Sequence, residues 1–435
     1  MLHLVTNSLP ETVAGYTLRT QGIVAAQRAA GIDAQVVTRL GFPVTRGHLR
    51  AGRYAEVEGV PYHRLLGLVP ARADEALARD VELTVRLVER LRPDVLHAHS
   101  NHLNAQVALA VRERTGIPVV YELRGFLEET RRSLELTRPG REMSRDGRDG
   151  ETYRLTRAAE TWCLRRADAV VTLGSAMRDE IVARGADPDR VVVVPNAVSD
   201  QLPTHPSLAA RVRLRAELGI APDTLLAGFV GTLNDYEGVD VLIRAIAMAS
   251  HENAHQTNPH ADHGATPGTS DLHLVVVGDG PARGVLERAA GDLPVTFVGR
   301  VPPSEVPDWY AAVDVCCVPR RDLPVTRLVP PLKPAEAMAM GRPVIASDLP
   351  PLREIVTDWQ TGLLVPPDDP AALVRALTLL ASEPDVRHRL GTTAREHVRT
   401  RHTWSATTAT YADTYAGVYA DLPTASCTPL KETSK

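Results

Sequence analysis

The chain has 435 residues and 44% hydrophobic content, too much for one ordinary core and suited to two α/β domains. A net charge of −4 argues against a nucleic-acid partner, and nearly all the positive charge is arginine, since Lys333, Lys431 and Lys435 are the only lysines. Cys163, Cys316, Cys317 and Cys427 lack zinc-ligand or redox spacing and no apolar run is long enough to span a bilayer, so the expectation is a reduced, cytoplasmic protein, with peripheral contact at the inner face of a membrane left open.

The start, Met1-Leu2-His3-Leu4-Val5-Thr6, is already strand-like. Hydrophobic patterning predicts strands at 2–6, 34–38, 94–98, 117–122, 169–173 and 191–194, and helices at about 16–30, 74–91, 102–115, 151–166 and 175–185. Such alternation reads as a doubly wound parallel sheet. After a polar connection near 199–206 it restarts at Leu225–Val230, Leu272–Val277, Val295–Val298, Val313–Val318, Val344–Ala346 and Gly362–Val365, a second Rossmann-like domain. Helical pattern resumes at 371–381 and 385–420, where Trp404, Tyr411, Tyr415 and Tyr419 recur at helix-compatible spacing. The predicted division is 1–200, 201–395, a terminal helix 396–420 packing across both domains, and a disordered tail 421–435.

Like the tail, two further segments read as decoration. Residues 127–150, rich in Arg, Glu and Gly without a clear period, read as a surface loop able to meet an acceptor or anionic lipid head groups. The stretch 251–271 carries His251, His255, His260 and His263, but its low complexity and lack of Cys or acidic cluster read as disorder rather than a metal site. Asp187-Pro188-Asp189 resembles an acidic metal motif but reads better as a turn before a strand.

Chemistry is expected at strand ends, where open α/β sheets bind ligands. Gly15, in the loop and helix start after the first strand, allows close backbone approach, although no GxGxxG fingerprint is present. In Asp94-Val95-Leu96-His97-Ala98-His99-Ser100 the two histidines are read as pointing to opposite faces, with His99 the ligand contact and His97 a core or interdomain residue. Glu122 and Arg124 end the next strand, either to orient an acceptor or to pair with each other. Ala227–Leu233 and Val275–Pro281, the latter ending Gly278-Asp279-Gly280-Pro281, are strand-then-glycine turns that suit a base, ribose and diphosphate.

The densest pattern runs from Leu332 to Asp348: loop, short helix, turn, buried strand. Pro334 suits the first helical turn, the Ala/Met run favours helix, and Gly341 ends it. Glu336 then sits in the first turns, where a carboxylate accepts hydrogen bonds from a ribose diol and nearby amides attract phosphate. Because Pro330, Pro331 and Pro334 carry no N–H, Leu332 and Lys333 are left as amide donors.

In their joint order these elements resemble the retaining glycosyltransferases of family four, which have the GT-B fold: two Rossmann-like doubly wound parallel-sheet domains facing a cleft. The resemblance rests on Gly15, His97-Ala98-His99, Val170-Val171-Thr172 with Ser175, and Val193–Val198. It continues through Gly231-Thr232-Leu233, Gly278–Pro281, Pro334–Asp348, Leu352-Arg353-Glu354-Ile355-Val356 and Gly362–Pro366. It implies a nucleotide-sugar donor in the C-terminal domain, an acceptor in the N-terminal one, and Glu336 as the ribose-binding glutamate. The donor is a substrate, so neither cofactor nor metal is implied, and a UDP-sugar is mildly preferred. The acceptor is a glycan, a lipid-linked saccharide or a small metabolite.

Two departures stand out. Many members carry an Arg and a Lys that clamp the diphosphate, and here those positions hold Thr232 and Glu237. Lys333, Arg320 and Arg321 are the expected substitutes, Lys333 foremost. Eight positions before Glu336, where the family places a carboxylate, stands Leu328. The resemblance implies transfer with retention on the front face of the sugar, the departing phosphate helping to take the acceptor proton and His99 touching the donor sugar or the acceptor. Two rivals are kept. One is a sugar-nucleotide epimerase or hydrolase using Glu122, Glu128 or Glu129 as acid or base; the other is a non-catalytic sugar-nucleotide-binding partner subunit.

Overall fold

The computed structural model describes residues 1–137, 150–256 and 272–420; the expected tail 421–435, the second half of the 127–150 segment, and His260 and His263 lie outside these. The first sheet comprises β1 (Leu2–Val5), β2 (Gln35–Thr38), β3 (Tyr54–Val57), β4 (Val60–Arg64), β5 (Leu96–His99), β6 (Val119–Glu122), β7 (Ala169–Thr172) and β8 (Val191–Val193). Its order is β3-β4-β2-β1-β5-β6-β7-β8, parallel throughout except for the β3–β4 hairpin. The second sheet contains β9 (Leu225–Val230), β10 (Leu272–Val277), β11 (Val295–Gly299), β12 (Val315–Val318), β13 (Val344–Ser347) and β14 (Gly362–Val365), in the parallel order β11-β10-β9-β12-β13-β14. Most strands are short wholly buried apolar runs, as expected of parallel sheets covered by helices on both faces. The architecture is the two-domain GT-B fold.

Sequence patterning missed the β3–β4 hairpin because β3 is an edge strand that leaves Tyr54 and Glu56 exposed. The signal was its turn, Glu58-Gly59, with φ of 51° and 76°. Two expectations are corrected. Residues 127–136 form a helix rather than a loop, with Glu128, Glu129 and Ser133 buried, because Arg184 neutralises Glu128 at 2.5 Å and its guanidinium stacks over Phe126 at 4.1 Å. The single terminal helix is in fact two, Pro384–Arg401 and Trp404–Ala420. The break comes where the chain turns strand-like: the amide of Val198 donates to His402 O at 2.8 Å and that of Trp404 to Val198 O at 3.2 Å. The first of the pair packs on the C-terminal domain, through Leu390, Ala394 and Val398. The second returns to the N-terminal one, where Tyr411 and Tyr415 join Ile23, Val120 and Val171.

The domains touch at the cleft floor. Leu328 and Val329 of the C-terminal half pack against the N-terminal core, Asn196 Nδ2 donates to Pro330 O at 3.1 Å, and the amide of Val325 donates to Ser133 Oγ at 3.1 Å. Leu328, found where a carboxylate was expected, is therefore an apolar contact between domains. A second bridge is polar: Glu354 accepts from the Ser175 amide at 3.0 Å, the Ser175 hydroxyl at 2.7 Å and the Ala176 amide at 3.4 Å, at the start of the Ser175–Ala183 helix.

Candidate active site

The Lys333–Ala339 helix opens at the interdomain cleft with Pro334 in its first turn. One turn brings Lys333 and Glu336 onto the same face, and Lys333 Nζ donates to Glu336 Oε2 at 2.9 Å. The Tyr310 hydroxyl donates to the same oxygen at 3.0 Å. Burial, and then the charge of Glu336, hold the Tyr310 phenol well above its usual range, so it stays a donor. Glu336 Oε1 accepts no hydrogen bond among the described residues. Tyr310, Leu332, Lys333 and Glu336 line a cavity of about 820 Å³ whose opposite wall includes Leu18, Gly22 and Trp404. Tyr310 carried no signal in the sequence, where it reads as one more apolar helix residue.

Turns after β9 and β10 lie beside this helix start, since a Cβ on Gly231 would touch Lys333 Cγ at 4.0 Å. Thr232 is exposed in the first of them. Gly280 has a structural reason: a Cβ there would stand 2.5 Å from Leu233 O, so the two turns pack backbone on backbone. Gly15 opens the Gly15–Ala29 helix and is exposed.

Arg320 does not stand free as a diphosphate clamp. It is 5% exposed, donates to both oxygens of Glu237 at 2.9 and 3.1 Å, and donates to Val329 O at 2.7 Å. The expected Lys position is thus occupied by the carboxylate that holds Arg320. Arg321 is likewise paired, with Asp240 and with Asp368. Among the residues lining the large cavity, Arg19 and Lys333 carry positive charge, and Arg19 is committed elsewhere.

That commitment is to Glu122, which is fully buried rather than open to an acceptor. Arg19 Nε donates to Glu122 Oε1 at 2.8 Å, Arg124 Nε to the same oxygen at 2.7 Å, and the Tyr411 hydroxyl to Oε2 at 3.0 Å. Burial alone would raise the Glu122 carboxyl, but Arg124 and Arg19 outweigh it and hold it well below the usual range. Glu128 and Glu129 are also buried and face arginine, at 1% and 4% exposure. None of the three stands open as an acid or base.

The two strand histidines share one face, correcting the opposite-face expectation, because residues two apart on a strand project the same way. Their rings stack at 4.4 Å. His99 is 2% exposed and both ring nitrogens are engaged: Arg124 donates to Nδ1, and Nε2 lies 2.8 Å from His3 Nδ1. Arginine can only donate, so His99 carries its proton on Nε2 and passes a hydrogen bond to His3. His3 Nε2 then donates to Gln27 Oε1 at 2.9 Å, Gln27 Nε2 to the Tyr415 hydroxyl at 2.8 Å, and that hydroxyl to His97 Nδ1 at 2.8 Å. His97 Nε2 approaches Glu122 Oε2 at 3.2 Å in poorer alignment. Burial lowers all three imidazoles and outweighs the opposing pull of Glu122, so the chain runs through neutral rings. His3, His97 and His99 bring three nitrogens within 4.8 Å of one another. As a metal site the group fits poorly: two nitrogens on one tetrahedral zinc stand about 3.3 Å apart, and the 2.8 Å between His3 and His99 is a hydrogen bond.

A cleft of about 820 Å³ between two Rossmann-like domains, with a carboxylate and a lysine at one helix start, is the layout of the GT-B fold. The family described as "Glycosyl transferases group 1" matches residues 224–383, and the "Glycosyl transferase 4-like domain" matches residues 14–197. A D-inositol 3-phosphate glycosyltransferase of Thermomonospora curvata is 31% identical over 341 residues, 74% of this chain and 71% of that one. Its counterpart from Corynebacterium glutamicum is 28% identical over 412 residues, 92% and 90% of the two chains. Among solved structures, sucrose-phosphate synthase from Thermosynechococcus elongatus superposes with a TM-score of 0.70 at 23% identity, covering 96% of this chain and 99% of that one. Anabaena HepE in complex with UDP-glucose gives 0.69 at 18% identity, with the same coverage. The chain belongs to the group 1 glycosyltransferases. Among its described residues no helix is long and apolar enough to cross a membrane.

Proposed function

We propose that the protein moves a sugar from a nucleoside diphosphate donor, a UDP-sugar first, to an acceptor hydroxyl, with retention at the anomeric carbon and without a metal ion. The carrying observation is the Lys333–Glu336–Tyr310 group at the edge of the interdomain cavity. Tyr310 and Lys333 fix Glu336 through Oε2, which leaves Oε1 to accept from a ribose hydroxyl. Lys333 exchanges its contact with Glu336 for the diphosphate as charge develops on the leaving group. The Leu332 and Lys333 amides, the Thr232 hydroxyl and the backbone at Gly280 and Gly15 complete the donor site. Arg320 contributes by holding Glu237 away from the phosphates rather than by direct contact.

On the acceptor side, His99, Arg124 and Glu122 act as a rigid backing. Arg124 ties the start of the first helix, through Tyr16 O and Thr20 Oγ1 at 2.8 Å each, to the end of β6. The departing phosphate takes the acceptor proton, and catalysis rests on positioning and charge, with domain closure excluding water. Burial of Glu122, Glu128 and Glu129 favours transfer over an epimerase or hydrolase. The complexes of HepE with UDP and UDP-glucose support uridine donors, and the names of the curated relatives make a phosphorylated polyol the first acceptor to try.

The test is a calorimetric and turnover screen of UDP-, ADP- and GDP-sugars with inositol 3-phosphate and simple glycosides, with and without EDTA, reading product anomers by NMR. Retained configuration with full turnover in EDTA supports the reading. Tight donor binding without turnover across all acceptors would instead establish a partner subunit.

A further inference from the structure

The cleft lies at the carboxyl ends of the parallel strands. At their opposite ends, the turn Met340-Gly341-Arg342-Pro343 before β13 faces the start of the Pro384–Arg401 helix across a cavity of about 480 Å³. Its lining holds Arg211, Arg342, Arg387, Arg395 and His388 against two acids, Asp314 and Asp385. Asp314 is already consumed, accepting from Arg211 at 2.6 Å, Arg215 at 3.0 Å and the Leu226 amide at 2.8 Å. Arg342, Arg387 and Arg395 make no ion pair among the described residues.

Their remaining contacts are to backbone carbonyls. Arg342 donates one terminal nitrogen to Ala311 O at 3.0 Å and Arg387 donates to Leu380 O at 2.5 Å, while Arg342 Nε is buried without any partner. A buried charged donor without a partner is destabilising, and an acceptor placed beside it relieves that cost. Burial, and then the charge of Arg211 with Arg387 and Arg215 behind it, pushes the Arg342 guanidinium down to about 10. The arrangement is locked by a close helix-to-turn approach, since a Cβ on Gly391 would stand 2.3 Å from Gly341 O. The backbones that carry Arg342, Arg387 and Arg395 are therefore held close together.

We propose that this cavity is a binding site for a phosphate group, as inorganic phosphate or a phosphomonoester, held by Arg342, Arg387 and Arg395. A tetrahedral dianion presents several acceptor oxygens to planar guanidinium donors, and its charge answers the unpaired cations. The start of the 18-residue Pro384–Arg401 helix, beside which Arg387 and His388 stand, adds the positive end of its dipole. The site sits at the other end of the Lys333–Ala339 helix from the donor cleft and is separate from it.

Calorimetry of the full chain at low ionic strength, with sodium phosphate and separately glucose 6-phosphate as probes and chloride as the ionic-strength control, tests this. The expected result is one saturable phosphate site, weakened at least about tenfold by Arg395→Gln, and by Arg387→Gln as a second variant, each with an unchanged circular dichroism spectrum. Equal affinities for the two probes identify inorganic phosphate as a sufficient ligand, and tighter binding of the ester identifies a phosphomonoester. Absence of wild-type binding overturns the proposal. So does phosphate binding that survives both arginine variants, or that is lost in Lys333→Ala while the arginine variants keep it, because the anion would then occupy the donor cleft.

Discussion

Replacing Lys333 by alanine removes Nζ while leaving the helix start intact. For stability the loss is one i,i+3 ion pair with side chains 31% and 17% exposed, costing under about 1 kcal/mol. For catalysis the loss is larger, because a preorganised donor aimed at developing charge is worth about 10²–10³ in kcat where water is excluded. Lys333 is nearly a third exposed, so solvent screens part of its charge. The expected fall in kcat is therefore about 10- to 100-fold, or roughly 1.4–2.7 kcal/mol of barrier. Initial rates of nucleotide release, resolved into kcat and KM, measure it, with the melting temperature as the control. A kcat within about twofold of wild type, in a variant that melts normally, would refute the assignment of this charge to the leaving group.

Four further outcomes are expected. Glu122→Gln leaves two buried arginines without their carboxylate and should cost about 3–5 kcal/mol in denaturant titration. Since the folded Glu122 carboxyl lies well below 4.5, its stabilisation is present above that pH and is lost as pH falls through its folded value, so this variant should flatten the acid limb. A separate decline should begin as pH drops below 6.5, because His3, His97 and His99 stay neutral when folded while the unfolded chain takes up protons; melting temperatures from pH 8 to 5 would expose its absence. Glu354→Ala frees the Ser175 and Ala176 amides and should speed their hydrogen exchange, whereas unchanged protection would show the interdomain bridge to be unformed in solution. Gly278→Ala places a Cβ 1.8 Å from Gly231 O at φ +138°, and expression of a protein with wild-type stability would contradict the backbone packing of the two donor turns.

Both sheets and most of their helices were legible because buried parallel strands are continuous apolar runs and the helices between them are amphipathic. The hairpin at β3–β4 and the helix at 127–136 were not, for opposite reasons. The first is an edge pair without an apolar run, and the second buries glutamates whose arginine partner, Arg184, lies 56 residues away from Glu128. The same limit applied to the site. Local pattern identified Glu336 and Lys333, which stand one helical turn apart, but said nothing of Tyr310, which meets them across 26 residues.

By itself the sequence determined the two-domain α/β class, the order of strands along the chain, and the helix start that carries the carboxylate and the lysine. These are properties of neighbouring residues and short-range periodicity. Only the tertiary structure decided which charges are available: it paired Arg320 with Glu237, sank Glu122 between Arg19 and Arg124, and bound both nitrogens of His99. The physical reason is that a charged side chain's role depends on burial and on partners brought together from distant segments, and neither is encoded in the spacing of residues along the chain.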